Sequence, residues 1–311
     1  MAFDTTLEFA FFEGEIVPFS EARVSIGTHA LQYGTGAFGG IRGYRSEDGT
    51  SINIFRLKDH CARLLRSAKL LRMDLPFTPD TLADTVVELT KKNAPTTDVY
   101  YRPFVYKSSI QLSPRLQGLD DEVAIYMLPM GDYLDTTRGQ SAIVTSWTRS
   151  SDNAIPSRGK ITGSYINASF AKDQAMVYGA DDAIMLNASG KIAEGSACNL
   201  FVVRDGVLIT PPINSDILEG ITRRTVLELA EELGIPTEQR SIDRSELYLM
   251  DEAIFCGTGV QVAWIEQIDG RVIGQGTQGP VAKQLYDKLF DIFRGRDAAH
   301  KDLLTSVKIG D

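Results

Sequence analysis

Short apolar runs broken by turn residues dominate the start of the chain. Phe11-Phe12, Glu13-Gly14 and Ile16-Val17 predict a small hairpin, and Ile52 to Phe55 predicts another strand. From Leu57 to Met73 the period changes: Leu57, Cys61, Leu64, Leu65, Ala68 and Leu71 recur at helical spacing, with Arg63 off that stripe. A second helix is predicted from Pro79 to about Lys92, with Thr78 as its N-cap and proline in the first turn. Val99 to Lys107 returns to a period of two, which puts Tyr100, Arg102, Phe104 and Tyr106 on one face, and Glu122 to Leu128 is a further strand ended by Pro129.

A polar segment from Gly131 to Gln140 makes the best interdomain linker, between a small domain over 1–130 and a larger one over 141–311. Beyond it come a strand from Ala142 to Trp147, a polar loop to Lys160, and a helix from Tyr165 to Tyr178 stopped by Gly179. Leu200 to Val203 and Val207 to Thr210 flank Asp205-Gly206, a hairpin signal. Thr222 to Leu233 is helical before Gly234, Ala253 to Cys256 is a strand running into Gly257-Thr258-Gly259, and Val281, Leu285, Leu289, Ile292 and Phe293 mark a last amphipathic helix. This mixed order predicts α+β domains.

Hydrophobic residues at 43% and charged ones at 23% are ordinary for a globular protein. Against 41 Asp+Glu stand 32 Lys+Arg, a net charge of −9 that argues against a nucleic-acid partner. Any anionic ligand must then be held by a local cationic pocket. Three scattered cysteines, Cys61, Cys198 and Cys256, offer neither a disulfide framework nor a zinc spacing and point to a reducing, cytoplasmic compartment. Three histidines make a metal site improbable, so none is expected. The N-terminus lacks a basic n-region, and no run approaches the roughly 20 apolar residues of a membrane helix, so no membrane partner is expected.

Gly34, Gly36 and Gly39 match a dinucleotide-binding fingerprint by letter, but the following Ile41-Arg42-Gly43-Tyr44 is extended where that motif needs a helix. Two other segments could cradle an anion. At Glu219-Gly220-Ile221-Thr222-Arg223-Arg224 a glycine precedes a helix whose first turn carries two arginines, which either meet an anion or face solvent or a carboxylate. Gly257-Thr258-Gly259 is a backbone nest or an ordinary turn. Lys160 lies among small residues just ahead of a helix, a setting that suits a lysine delivered inward from a loop.

Taken in order, Thr28 to Gly36, Gly40-Ile41-Arg42, Tyr100-Tyr101-Arg102-Pro103, Ile155-Pro156 to Lys160, Glu194-Gly195 with Asn199-Leu200-Phe201, Gly220-Ile221-Thr222-Arg223 and Gly257-Thr258 resemble the branched-chain amino-acid aminotransferases among the fold type IV pyridoxal-phosphate enzymes. The likeness runs from about residue 10 to about residue 290. It implies a small N-terminal domain, a larger barrel-like C-terminal one, pyridoxal 5'-phosphate as cofactor, and exchange of nitrogen between leucine, isoleucine or valine and 2-oxoglutarate by a ping-pong route. It makes Lys160 the lysine that forms a Schiff base with the cofactor and shuttles the proton. Glu194 would face the pyridine nitrogen, Leu218 the ring face, and Tyr165 the imine or ring oxygen. Arg63, Gly220, Ile221, Thr222, Gly257 and Thr258 would surround the phosphate. Tyr100 and Arg102 would accept both a branched side chain and a γ-carboxylate, with Phe38 and Tyr133 lining the pocket. Thr258 and Gly259 would hold the α-carboxylate, and Tyr33 would reach in from a neighbouring subunit, which implies a homo-oligomer of at least a dimer.

Departures accompany the likeness. Phe38-Gly39-Gly40 stands where the family usually has Phe-Glu-Gly, and Gly257-Thr258-Gly259-Val260-Gln261 where it usually has Gly-Thr-Ala-Ala-Glu. These changes bear on substrate scope, since a methylene or a hydrogen bond in a pocket shifts preference by about 1–3 kcal/mol. A D-amino-acid or (R)-amine transaminase, or a lyase acting on aminodeoxychorismate, are the competing activities on this scaffold; a binding protein that has kept the fold is the non-enzymatic one.

Overall fold

In chain order the elements are β1 (Phe9–Phe12), β2 (Glu15–Pro18), α1 (His29–Tyr33), β3 (Gly36–Phe38), β4 (Ile41–Arg45), β5 (Ser51–Phe55), α2 (Leu57–Leu70), α3 (Pro79–Asn93), β6 (Val99–Lys107) and β7 (Asp121–Pro129). Then follow β8 (Gln140–Thr148), α4 (Tyr165–Val177), β9 (Asp182–Leu186), β10 (Ile192–Gly195), β11 (Asn199–Arg204), β12 (Val207–Thr210), α5 (Ile221–Glu232) and β13 (Thr237–Gln239). The chain closes with β14 (Glu252–Gly257), β15 (Gln261–Ile268), β16 (Arg271–Val272), α6 (Pro280–Phe293) and β17 (Leu304–Lys308). These come from a computed structural model that describes residues 6–131 and 138–309. The described chain forms two units: one holds residues up to Gly131, Gly159–Gly163 and the chain from Phe290 on, and the other holds the remainder up to Leu289. The first unit thus takes in two segments that the sequence assigns to the C-terminal domain.

In the first unit an antiparallel sheet runs β17-β5-β4-β6-β7-β1-β2, with β3 beside β6. Its centre is β6, where Val99, Tyr101 and Val105 are fully buried. The helical stripe of α2 contributes Leu57, Cys61, Leu64 and Ala68 to the core, and α3 adds Leu82, Val86 and Leu89. The predicted N-cap of α3 is present as a capping box in which Thr78 and Thr81 satisfy each other's amides. The predicted helix over 57–73 stops at Leu70, because Arg72 takes a left-handed φ of 54°. Arg63 is 7% exposed, so it lies inside the fold and not on a solvated helix face. No dinucleotide loop forms: Gly34 closes α1, and Gly36 and Gly39 lead into strands.

The second unit is built on a sheet ordered β10-β9-β8-β15-β14-β11-β12-β13, with β16 beside β15. Among the described residues only β8/β9, β8/β15 and β12/β13 pair in parallel. Helix α4 lays Ala168, Ala171 and Ala175 inward, and α5 buries Val226, Leu229 and Ala230. Between β11 and β12, Asp205 and Gly206 take φ of 51° and 77°, the two left-handed positions that a tight hairpin turn needs. On α6 the buried face is Ala282, Leu285, Leu289, Ile292 and Phe293, so Ala282 replaces Val281 in the predicted stripe. Strand β17 follows that helix and pairs with β5.

Register partners Lys107 and Asp121 on β6 and β7 form an ion pair at 2.7 Å with side chains 1% and 9% exposed. Lys107 Nζ also donates to the Arg72 carbonyl at 3.0 Å, and Asp121 accepts from the Asp74 amide at 3.0 Å. Removing one partner leaves the other charge uncompensated inside the protein. Asp121→Ala is therefore expected to lower unfolding free energy by about 3–5 kcal/mol in chemical denaturation. Lys58→Ala, which breaks the exposed pair with Asp80, should leave the midpoint almost unchanged.

Candidate active site

Lys160 belongs to the five-residue segment Gly159–Gly163 of the first unit. Its amide donates to Ser67 Oγ on α2 at 3.2 Å, and its carbonyl accepts from the Phe38 amide on β3 at 3.0 Å. The next residue, Ile161, bridges to Ala37. Gly163 donates to the Gly34 carbonyl at 3.1 Å, and a Cβ on Gly34 would come within 2.8 Å of Gly163 Cα, so the two chains touch backbone to backbone. Lys160 is thus held through the two peptide groups that flank its Cα, and its Nζ lies 5.1 Å from the centre of the Phe38 ring.

The same ring meets a second cation, since the Arg102 guanidinium lies 4.6 Å from it and 5.3 Å from Tyr100. Arg102 Nη2 donates to Tyr100 Oη at 3.2 Å. That hydroxyl sits 2.0 Å from where a Cβ of Gly40 would lie, so any side chain at Gly40 would displace it. Opposite Tyr100 in the ladder, Arg42 is 1% exposed, donates to the Met130 carbonyl and faces the Tyr44 ring. Lys160, Phe38, Tyr100, Arg102 and Arg63 therefore all belong to the first unit, as does the half-exposed Tyr33, whose ring lies 4.7 Å from His29. Tyr133 falls outside the described residues.

In the second unit, Glu194 at the end of β10 is 5% exposed. Arg149 reaches its Oε1 at 2.8 Å, while Asn199 Nδ2 and the Leu218 amide donate to Oε2 at 2.9 and 3.1 Å. A cation and two neutral donors thus satisfy both oxygens of this buried carboxylate. Asn199 also donates to the Leu218 carbonyl at 3.0 Å, which fixes the chain leading to Gly220. A Cβ on Gly220 would lie 1.9 Å from Asn199 Oδ1, so the entry to α5 has room only for glycine. No side chain caps α5, which leaves the amides of Ile221 and Thr222 at an open helix N-terminus.

Of the two arginines of that turn, Arg224 takes the carboxylate alternative and Arg223 takes neither of the predicted settings. Arg223 is buried and donates to the Pro211 carbonyl at 2.8 Å, to Gln239 at 3.0 Å and to Thr210 at 3.3 Å. Arg224 is half-exposed beside Glu228 at 3.6 Å. Gly257, Thr258 and Gly259 end β14 in partly exposed turn positions, and the partly buried Tyr165 opens α4. Arg149 and Ser67 were not singled out by the sequence. Arg149 lies in a polar stretch without periodicity, whereas Ser67 stands four residues after Arg63 on α2 and could have been found from that spacing.

Other chemistry is absent from the described residues. All three cysteines are buried and unpaired; burial pushes the thiols of Cys61 and Cys256 up to about 12 and that of Cys198 well above its usual range. No group of three His, Cys, Asp or Glu could hold a metal ion among the described residues, and no described helix is long and apolar enough to cross a membrane.

Residues 37–268 match the model of the family described as amino-transferase class IV. A curated relative from Aquifex aeolicus (strain VF5), described as a probable branched-chain-amino-acid aminotransferase, is 44% identical over 303 residues, covering 97% of each chain. The branched-chain aminotransferase of Thermoproteus uzoniensis, solved with norvaline, superposes with a TM-score of 0.93 at 42% identity over 97% of this chain and 99% of that one. The branched-chain amino acid aminotransferase of Thermobaculum terrenum, solved in its PLP-form, also gives 0.93, at 36% identity over 98% of this chain and 99% of that one. With its sequence matched over nearly its whole length, this chain belongs to the class IV amino-transferase family.

Proposed function

We propose that this protein is a pyridoxal-phosphate-dependent aminotransferase that exchanges nitrogen between branched-chain amino acids and 2-oxoglutarate. The observation that carries the reading is Glu194, a buried carboxylate held by Arg149, Asn199 and the Leu218 amide. Such an acid suits a protonated pyridine nitrogen, and it stands beside an uncapped helix start that suits a phosphate. Lys160, anchored through both its amide and its carbonyl, supplies the amine. The donor set therefore fits the cofactor.

Pyridoxal phosphate, when bound, supplies the electrophilic carbon that takes the amino group and the ring that spreads the charge left by the Cα proton. Lys160 Nζ would hold the cofactor through its amine and would carry the substrate Cα proton as base and acid. Glu194 would hold the ring nitrogen, and Leu218, whose main chain is tied to Glu194 and Asn199, would face the ring. Tyr165 donates toward the imine end. The amides of Ile221 and Thr222 bind the phosphate, with Gly220, Gly257, Thr258 and Arg63 around it.

Arg102 recognises both substrates. Stacked against Phe38 and Tyr100, its guanidinium presents a flat face to an aliphatic side chain and an edge to the glutamate γ-carboxylate. Thr258 and Gly259 hold the α-carboxylate, and Tyr133 completes the apolar wall.

Exposed apolar residues support a homo-oligomer, with Tyr33 serving a neighbouring copy. Ile26, Leu31, Ile110 and Leu112 are more than half exposed around α1. On α4, Ile166, Phe170 and Val177 form an exposed stripe, and Trp147 stacks on Phe170 at 4.7 Å. The buried, unpaired cysteines suit the cytoplasm.

Purified protein with pyridoxal phosphate should show a yellow band and convert L-leucine, L-isoleucine and L-valine, with D-leucine and aryl-ethylamines much slower. Lys160→Ala should lose the band and at least about 10³-fold in rate. Equal turnover of D-leucine would assign the enzyme to the competing stereochemistry. Arg102→Ala should raise KM for 2-oxoglutarate roughly 30-fold while changing that for 4-methyl-2-oxopentanoate far less, as steady-state kinetics would reveal. Sedimentation should give a dimer or a multiple of it, and Ile166→Glu with Phe170→Glu should shift it toward the monomer.

A further inference from the structure

Helix α2 presents Arg63, Ser67 and Leu70 at positions i, i+4 and i+7, one face of the helix. The segment carrying Lys160 lies on that face. A Cβ on Gly159 would come within 2.9 Å of Leu70 Cδ1, so the segment runs close against the end of the helix. One turn away, Ser67 is 0% exposed and its hydroxyl does two things at once. It donates to the Arg63 carbonyl at 3.0 Å and accepts from the Lys160 amide at 3.2 Å. Thr90 and Thr225 make the same i−4 bond elsewhere, but Ser67 alone among these three ties its helix to a main-chain amide 93 residues away.

Serine is a poorer helix former than alanine, and a buried one in the third turn must be offset by a contact. Here the bond to Arg63 fixes the rotamer, and the fixed rotamer aims a lone pair at Lys160 N–H. The Phe38 amide holds the peptide after Lys160 and the Ser67 hydroxyl the peptide before it, and together they set the direction of the Lys160 Cα–Cβ bond.

We propose that Ser67 is a positioning residue for the reactive lysine, joining through one hydroxyl the peptide of Lys160 to the helix turn that carries Arg63. The proposal rests on Lys160 as the cofactor-binding amine and Arg63 as a phosphate ligand. On that reading the hydroxyl sets the spacing between the groups that grip opposite ends of one cofactor. A misplacement of about 1 Å at such a site costs on the order of 10²-fold in rate.

The holoenzyme, Ser67→Ala and Leu70→Ala would be compared by four measurements. These are the pH midpoint of the visible cofactor band, the rate of cofactor loss on dilution, amide exchange of the peptide containing Lys160, and steady-state kinetics. Ser67→Ala should release cofactor about tenfold faster, exchange the Lys160 amide faster and displace the band's pH midpoint. It should lower kcat by roughly 10- to 100-fold with KM changed less than about threefold. Leu70→Ala loses packing against Gly159 but keeps the hydrogen bond, and should lower thermal stability without moving the midpoint. An unchanged midpoint and unchanged exchange in Ser67→Ala, or an equal displacement in Leu70→Ala, overturns the proposal while leaving Lys160 in its role. A parent protein without the band, or Lys160→Ala retaining it, overturns the underlying reading and the proposal with it.

Discussion

The proposed chemistry depends on how the main chain of one residue, Lys160, is held. A lysine side chain has four rotatable carbons and a strong preference for water, so its amine is useful only if the backbone beneath it does not move. Here the segment Gly159–Gly163 belongs to the first unit although the chain on either side belongs to the second. It is held by the Lys160–Phe38 and Lys160–Ser67 bonds, the Ala37–Ile161 bridge and the backbone contact of Gly34 with Gly163. Gly159 and Gly163, which read as mere flexibility in the sequence, serve close approach.

Electrostatics follow the same local logic. A chain with net charge −9 must hold anionic ligands in spite of its overall field, and its second unit also buries a carboxylate. Glu194 is accommodated because each oxygen has its own donor, Arg149 for one and Asn199 with the Leu218 amide for the other. Arg102 lies against the faces of Phe38 and Tyr100 and donates to the Tyr100 hydroxyl. A cation positioned by aromatic rings can meet an apolar group or an anion with little rearrangement, which the two half-reactions of a transaminase require.

Local chemistry was legible in the sequence wherever a few neighbouring residues decide the outcome. The Asp205-Gly206 turn, the Thr78 cap and the period-two face of Tyr100 and Arg102 all came from windows shorter than ten residues. What escaped depends on partners distant in the chain. Strand β17 pairs with β5 across some 250 positions, a partnership that no local window displays. Arg63 lies off the apolar stripe by its spacing, yet it is buried, because a helix flanked on two sides hides polar positions that a one-sided amphipathic pattern assigns to water.

Arg223 illustrates the limit of motif reasoning. A cation in the first turn of a helix opposes the macrodipole, which invites an anion as the remedy. The fold resolves the conflict differently: the guanidinium turns away to the Pro211 carbonyl, Gln239 and Thr210, bracing the loop after β12 against α5. Burial holds its pKa below the usual arginine value, the expected sign for a cation satisfied by neutral oxygens. The amides of Ile221 and Thr222 are left without competition from a neighbouring side chain, and the helix start keeps its positive end open because its arginines are engaged elsewhere.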